Sequence, residues 1–207
     1  MTLNIFNEDE FNCLCKKYNM RAKVEDIEIK CSKSEYVINK KSITNKDRRG
    51  EVVFCVQRPS GKYILITCEE YPKGIFRVPT GGINYDEDII EAVIRETKEE
   101  LGLEVEILDF IGVLKIKFTY GEEYSMFYSY MFLLNETGGR LLEDATDDEV
   151  SQVMEAKLED FENVLDALLK MKEDWVDWGR FRYMTSNAVY KYIKNKDINK
   201  ITKLVKD

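Results

Sequence analysis

Histidine is absent from this 207-residue chain, and proline is scarce, at three residues. Without histidine, catalysis by a Ser-His-Asp or Cys-His system is excluded, so any general acid or base must be a carboxylate, Lys, Tyr, Cys or metal-bound water. The five cysteines form no Cys-x-x-Cys pair, and the missing histidines remove the usual partners of a mixed zinc site. We therefore expect reduced or buried thiols rather than a disulfide framework or a zinc centre.

Long apolar runs are also missing. No stretch approaches the roughly 18 uninterrupted apolar residues of a membrane span, and no N-terminal run resembles a secretion signal, so we expect a cytoplasmic protein without a membrane partner. Positive charge is in deficit, with 31 Lys and Arg against 39 Asp and Glu and a net charge of −8. Because affinity for nucleic acid comes from clustered cations, we do not expect a nucleic-acid partner.

Apolar patterning indicates one α/β domain with an added N-terminal segment. Residues 1–48 are interpreted as an extension that serves as a dimer contact or a lid, and residues 49–207 as the main domain with C-terminal helices. In the extension, Asn7 is expected to cap a helix. The predicted strands are 24–30, 36–43, 52–56, 63–67, 75–78, 105–114, 124–134 and 150–158. The predicted helices are 8–18, 159–171 and 187–193, and residues 39–49 are predicted to form a surface loop.

The most informative stretch is residues 81–103, where Gly81 and Gly82 are expected to turn the chain into an acidic helix that ends at Gly102. The helix is predicted to place an apolar stripe toward the core, formed by Ile90, Val93, Ile94, Thr97 and Leu101. Three carboxylates share the neighbouring face, namely Glu96, Glu99 and Glu100. Like charges this close destabilise a helix, which favours a bound divalent cation such as Mg²⁺; a solvated acidic face is the alternative.

The same stretch resembles the Nudix box: Gly, five residues, Glu, seven residues, Arg-Glu, a bulky apolar residue, any residue, Glu-Glu, any residue, Gly and an apolar residue. Eight positions match at the required spacing within 23 residues, namely Gly81, Glu87, Arg95, Glu96, Glu99, Glu100, Gly102 and Leu103. Thr97 departs from the pattern, because the family has a large apolar side chain there. This number of matched positions is far more specific than a single glycine motif.

The resemblance implies a Nudix-type α/β/α sandwich with a mixed central sheet. It also implies that Glu96, Glu99 and Glu100 bind Mg²⁺ or Mn²⁺, with the carbonyl oxygen of Gly81 as a further ligand. Glu87 and Arg95 are expected to pair and to hold the geometry of the metal-binding loop and helix. A carboxylate that simply favours the helix N-terminus is the alternative for Glu87.

The catalytic and substrate-binding residues follow less directly. The family often draws a further glutamate from a late loop, and Glu149 lies at such a place, although an ordinary acidic turn is the alternative. Glu99 or Glu100 is the other candidate for the general base, acting through a metal-bound water. Three cationic side chains are candidates for binding substrate phosphates, namely Arg77, Lys115 and Lys117. Exposed strand lysines that only aid solubility are the alternative.

Together these observations predict a divalent-metal-dependent hydrolase. The expected reaction is cleavage of the pyrophosphate bond of a nucleoside diphosphate linked to another moiety, such as a nucleotide sugar, ADP-ribose or a (d)NTP-like molecule. The alternative is a Nudix-fold module that binds a nucleotide without hydrolysing it. A homodimer is a candidate assembly, with residues 1–48 and 175–183 as the places for a subunit contact.

Overall fold

The structure is a computed structural model that describes residues 6–46 and 48–204. Within those residues the elements follow one another as α1 (Glu8–Tyr18), β1 (Lys23–Lys30), α2 (Ser34–Lys46), β2 (Gly50–Gln57), β3 (Tyr63–Thr67), β4 (Thr80–Ile83), α3 (Ile89–Leu101), β5 (Leu103–Tyr120), β6 (Glu123–Gly139), β7 (Gln152–Ala156), α4 (Asp160–Leu169), a short 3-10 turn (Glu173–Trp175) and α5 (Val176–Leu204). None of the helices in these ranges combines the length and apolar composition needed to cross a membrane.

One mixed sheet organises the molecule. Its strand order is β1-β5-β6-β2-β3-β7, and β4 pairs with β2 beside this path. The β1–β5 and β2–β6 pairs are parallel, and the other pairs are antiparallel. One face packs against α1 and α3, and the opposite face packs against α2, α4 and α5. The chain therefore has the α/β/α arrangement with a mixed sheet that the sequence predicts.

The N-terminal segment contributes directly to this sheet. Helix α1 occupies the predicted residues, and the Asn7 side chain accepts a hydrogen bond from the Glu10 N–H at 3.1 Å, as expected of a cap. Strand β1 pairs in parallel with β5 over its whole length. The division of the chain at residue 48 stays a prediction, and so does the role of residues 1–48 as a dimer contact or a lid.

The predicted strand 36–43 and the loop 39–49 are wrong, because helix α2 covers most of both. The β-branched residues of this segment favour a strand locally. In the fold, Val37 is fully buried against the sheet, and the Thr44 hydroxyl donates to the Lys40 and Lys41 carbonyls, one turn back along the helix. Packing on one helical face therefore overrides the local preference.

Two further expectations fail before α3. In place of a strand over 75–78, Arg77 alone pairs with Ile66 as an isolated bridge. Gly81 and Gly82 do not form a turn, because both lie in β4, paired with Val52 and Glu51 of β2. Neither has a positive φ, so these glycines serve a purpose other than backbone reversal.

Candidate active site

Helix α3 has caps at both ends. The Asp88 side chain accepts from the Ile90 and Glu91 N–H groups at 2.8 and 3.4 Å, and Gly102 ends the helix with φ of 71°. A β-carbon at Gly102 would lie 2.5 Å from the backbone nitrogen of Ala145, so only glycine fits there.

The inward face of α3 differs in part from the predicted stripe. Val93, Thr97 and Leu101 are fully buried as predicted. Ile94 is wrong, since 41% of it is exposed, and Ile90 is half-buried. The buried face of α3 differs from the predicted stripe, because Ile89 and Ala92 lie in the core and the carboxylate face lies toward β4. Thr97, the departure from the motif, donates its hydroxyl to the Val93 carbonyl at 2.7 Å and so is buried without an unpaired polar group.

Arg95 connects the carboxylates of the motif. Its guanidinium donates from Nε and Nη2 to the Glu87 carboxylate at 2.6 and 2.9 Å, and from Nη2 to the Gly82 carbonyl at 2.9 Å. Its Nη1 donates to Glu96 at 2.8 Å and to Glu99 at 2.9 Å. These bonds to Arg95 hold the pKa of Glu87 below its usual range. One planar cation thus ties the loop before α3 to the acidic face of the helix.

Gly81 is where the Glu96 side chain meets the β4 backbone. A β-carbon at Gly81 would lie 2.1 Å from both Cγ and Cδ of Glu96 and 2.3 Å from its Oε2. Any side chain at this position would therefore displace Glu96. Burial raises the pKa of Glu96, and the hydrogen bond from Arg95 opposes that rise.

Glu100 is the most deeply buried of the three carboxylates. Only 4% of the residue is exposed, and its Oε2 has no hydrogen-bond partner among the described residues. Burial raises its pKa to about 8; the charge of Arg77 opposes that rise, while those of Glu96, Glu149 and Asp147 add to it. A buried carboxylate oxygen with no donor is costly, so this site is suited to a cation or to a proton.

The late acidic loop is attached to the end of α3. The Glu99 carbonyl accepts from the Thr146 and Asp147 N–H groups, each at 3.0 Å. Glu149 is exposed, Asp147 is half-buried, and the charges of both act on Glu100. The structure thereby brings Glu149 to the carboxylate cluster. Asp147 is a further acidic neighbour that the spacing of the motif does not indicate.

The three candidate substrate cations lie in different surroundings. Arg77 is buried and donates to the Tyr71 hydroxyl at 2.9 Å, the Thr80 hydroxyl at 3.0 Å and the Val78 carbonyl at 3.1 Å, and its charge acts on Glu100. Lys115 lies 4.0 Å from the centre of the Phe6 ring and Lys117 lies 5.1 Å from that of Tyr124. Both lysines are on β5, which β6 and β2 separate from β4.

The donor set fits a hard divalent cation, because it consists of carboxylate oxygens and includes the Glu100 oxygen that no described residue contacts by a hydrogen bond. The arrangement is nevertheless not that of a formed metal centre. Among the described residues, no three Asp, Glu or Cys side chains converge as a metal-binding group. Arg95 donates to Oε1 of Glu96 and to Oε2 of Glu99, so a cation held by these side chains would use their other oxygens or displace Arg95 from one of them.

A separate cavity of about 950 Å³ lies between β1, β5 and α5, where its lining includes Lys23, Leu114 and Tyr192. None of the motif carboxylates lines it.

Comparison with known proteins matches residues 46–178 to the NUDIX domain family. Similar solved structures include an ADP-ribose pyrophosphatase from Streptococcus suis, at 15% identity and TM-score 0.44, covering 68% of this chain and 88% of that one. The E. coli dihydroneopterin triphosphate pyrophosphohydrolase has 12% identity and TM-score 0.47, with 72% and 97% covered. A NUDIX hydrolase from Nitrosomonas europaea has 16% identity and TM-score 0.46, with 65% and 86% covered. No curated protein sequence gives a significant match.

Proposed function

The chain belongs to the NUDIX domain family, and on that premise we propose that it is a pyrophosphohydrolase that cleaves the pyrophosphate bond of a nucleoside diphosphate linked to a second moiety, using Mg²⁺ or Mn²⁺. The observation that carries this proposal is the buried carboxylate oxygen of Glu100, which has no hydrogen-bond partner in the described part of the chain and belongs to the same helix as Glu96 and Glu99. A bound divalent cation would neutralise phosphate charge and supply an acidified water for attack at phosphorus.

The roles of the chain's own residues follow from their positions. Glu96, Glu99 and Glu100 would hold the cation, with the Gly81 carbonyl as a further oxygen donor. Glu87 keeps Arg95 oriented beside the α3 carboxylates, because Glu87 accepts from two of its nitrogens.

Two groups are suited to accept the proton of the attacking water. Glu99 is about two-fifths exposed, and Glu149 lies on the exposed loop tied to the end of α3. Arg77 is placed to balance negative charge beside Glu100.

Replacement of Glu99 by glutamine tests the proposal. We would measure phosphate or nucleotide release from nucleotide sugars, ADP-ribose, dinucleoside polyphosphates and (d)NTPs with Mg²⁺ and Mn²⁺. Glu99→Gln should lower kcat by about a hundredfold or more, because a cation ligand is lost. Glu91→Gln is the matched control, since Glu91 is an exposed glutamate on the same helix, and it should change kcat by less than about twofold. A fall of less than about threefold for Glu99→Gln would refute the assignment of the metal-binding face.

A nucleotide-binding module without hydrolysis is the second candidate, and one observation favours it. Arg95 already pairs with Glu96 and Glu99, so part of the negative charge of the acidic face is offset without a bound cation. Retained nucleotide binding, with no turnover across the whole panel and either metal, would establish this second function over the first.

A further inference from the structure

A lysine surrounded by aromatic rings lies on the face of the sheet opposite α3. The Lys40 ammonium group is 4.3 Å from the centre of the Phe181 ring, 4.9 Å from that of Phe127, and 5.5 Å from those of Tyr36 and Phe118. Among the described residues, Lys40 has no hydrogen-bond or ion-pair partner. Cation–π contacts stabilise this charge in part, but they supply no acceptor for its three N–H donors, and none of the described residues does.

Two more donors near Lys40 also lack acceptors. Arg182, on α5, lies over the same Phe181 ring at 4.4 Å and donates from Nη1 to both oxygens of Glu51, at 3.1 and 2.9 Å. Its Nε is buried without a partner in the described part of the chain, and the same is true of the Tyr36 hydroxyl. Buried donors left unpaired cost about 1–3 kcal/mol each, so two at one place require an explanation.

Charge at this place is unbalanced. Lys40, Arg182 and the exposed Arg48 carry three positive charges, against the carboxylates of Glu51 and Asp177. Glu51 already accepts from the Ser129 hydroxyl and from Arg182. Burial, followed by the charge of Arg182, lowers the pKa of Lys40 to about 7, while Glu51 opposes that shift. A bound water could accept a hydrogen bond here, but an anion would both accept from these donors and offset the excess charge without Lys40 losing its proton.

The cluster is connected to the carboxylate site. The Arg48 guanidinium packs on Gly82, where a β-carbon would lie 2.9 Å from its Cζ, and Gly82 follows the glycine that contacts Glu96. Arg77 and Arg182 both act on the Tyr71 hydroxyl and oppose the rise in pKa that burial produces there. Cationic side chains are therefore present along the way from Arg77, beside Glu100, through Arg182 to Lys40.

We propose that Tyr36, Lys40 and Arg182 form a binding site for a compact oxyanion, a phosphoryl or carboxylate group of the substrate that lies beyond the bond that is cut. The site takes an acceptor with several oxygen atoms, because all three side chains present hydrogen-bond donors. All three residues lie outside residues 46–178, the part matched to the family. That the bound group belongs to a substrate rests on the proposed function. The presence of the anion site does not.

The first experiment measures binding of inorganic pyrophosphate by calorimetry, without divalent metal and without turnover. The full chain should bind it at one saturable site. Lys40→Met should weaken binding by about tenfold or more, and Tyr36→Phe, which removes only the hydroxyl, by about threefold or more. Lys41→Met is the matched control, since Lys41 is an exposed lysine on the same helix, and it should leave the affinity unchanged. Glu99→Gln should also leave it unchanged.

A second experiment identifies the source of the oxyanion. Substrates that carry a phosphate, a carboxylate or no charge on the second moiety are compared for the full chain and Lys40→Met. The variant should lose kcat/KM by about tenfold or more for the class that binds here and by less than about twofold for the uncharged class.

The anion site and the proposed function can fail separately. Equal pyrophosphate affinity for the full chain and Lys40→Met, or no saturable binding at all, overturns the anion site. If no substrate is hydrolysed while Lys40→Met still loses pyrophosphate binding, the proposed function fails and the anion site stands.

Discussion

Replacing Gly81 by alanine would test whether the close approach of Glu96 to the β4 backbone positions that carboxylate. The added β-carbon would lie 2.1 Å from Cγ and Cδ of Glu96. Carbon atoms that are not bonded approach to about 3.5 Å at their optimum, so the Glu96 side chain would have to retreat by more than about 1 Å. Backbone strain is not involved, because Gly81 has no positive φ.

The expected loss follows from that displacement. A misplacement of about 1 Å in a reacting group costs about a hundredfold in rate, so kcat/KM should fall by about that factor. The free energy of unfolding should fall by about 1–2 kcal/mol, because the bond from Arg95 to Glu96 is disturbed in a partly buried place. Steady-state kinetics with Mg²⁺ and urea denaturation would measure the two effects.

Gly138→Ala provides the matched control. Gly138 is also a strand glycine without a positive φ, and a β-carbon there would lie 2.9 Å from a carboxylate oxygen of Glu104. Glu104 is exposed and able to move aside, so activity should stay within about twofold of that of the unmodified chain. Activity of Gly81→Ala within threefold of that of Gly138→Ala would refute the positioning role of the glycine.

Three further substitutions test other contacts. Arg95→Lys keeps the charge but loses the planar fork, so the free energy of unfolding should fall by about 1–3 kcal/mol and kcat/KM by about tenfold or more, measured by urea denaturation and kinetics. Thr97→Val removes a hydroxyl from a fully buried position without leaving an acceptor unpaired, so unfolding free energy should rise by about 0.5–1 kcal/mol with kcat unchanged. For Lys40 the pKa is about 7 in the folded chain and about 10.4 when unfolded, so the unfolded chain binds more protons between these values. Stability relative to Lys40→Met should therefore rise with pH from 7 to 10, by up to about 1.4 kcal/mol per unit, and parallel urea-denaturation profiles for the two proteins would contradict this.

Features determined by neighbouring residues could be predicted from the sequence. In helix α3, the acidic face, the buried Val93 and Leu101 and the Gly102 cap all lie within about four turns of one another. Their spacing in the sequence therefore suffices to predict them. The β2–β3 hairpin and helix α1 with its Asn7 cap are local in the same sense. The strand order, which places β6 between β5 and β2, depends on long-range pairing that no local pattern reports.

The environment of each cation could not be predicted, because it depends on distant partners. Arg77 is buried among Tyr71, Thr80 and Val78, although an arginine in a short strand is compatible with an exposed phosphate contact. Lys115 and Lys117 have the alternation of a strand bordering a cleft, yet their nearest described cation–π partners are Phe6 and Tyr124. The same sequence pattern is compatible with either outcome, and only the packing of other elements decides between them.

The α3 carboxylates and the cations around Lys40 come from different parts of the chain. This difference separates the residues that we assign to substrate choice from those that we assign to the chemistry. The carboxylates come from one helix, so any change in their spacing alters all of them together. The cations come from α2, from the segment before β2 and from α5, and Glu51 of β2 holds Arg182 in place across 131 positions of sequence. Lys40 and Tyr36 make no described hydrogen bond to Arg95 or to the α3 carboxylates, so we expect their substitution to leave the bonds between Arg95 and those carboxylates in place. Helix α2 is therefore the element in which changes of sequence would alter which anionic substrate is accepted while the α3 carboxylates continue to cut the same bond.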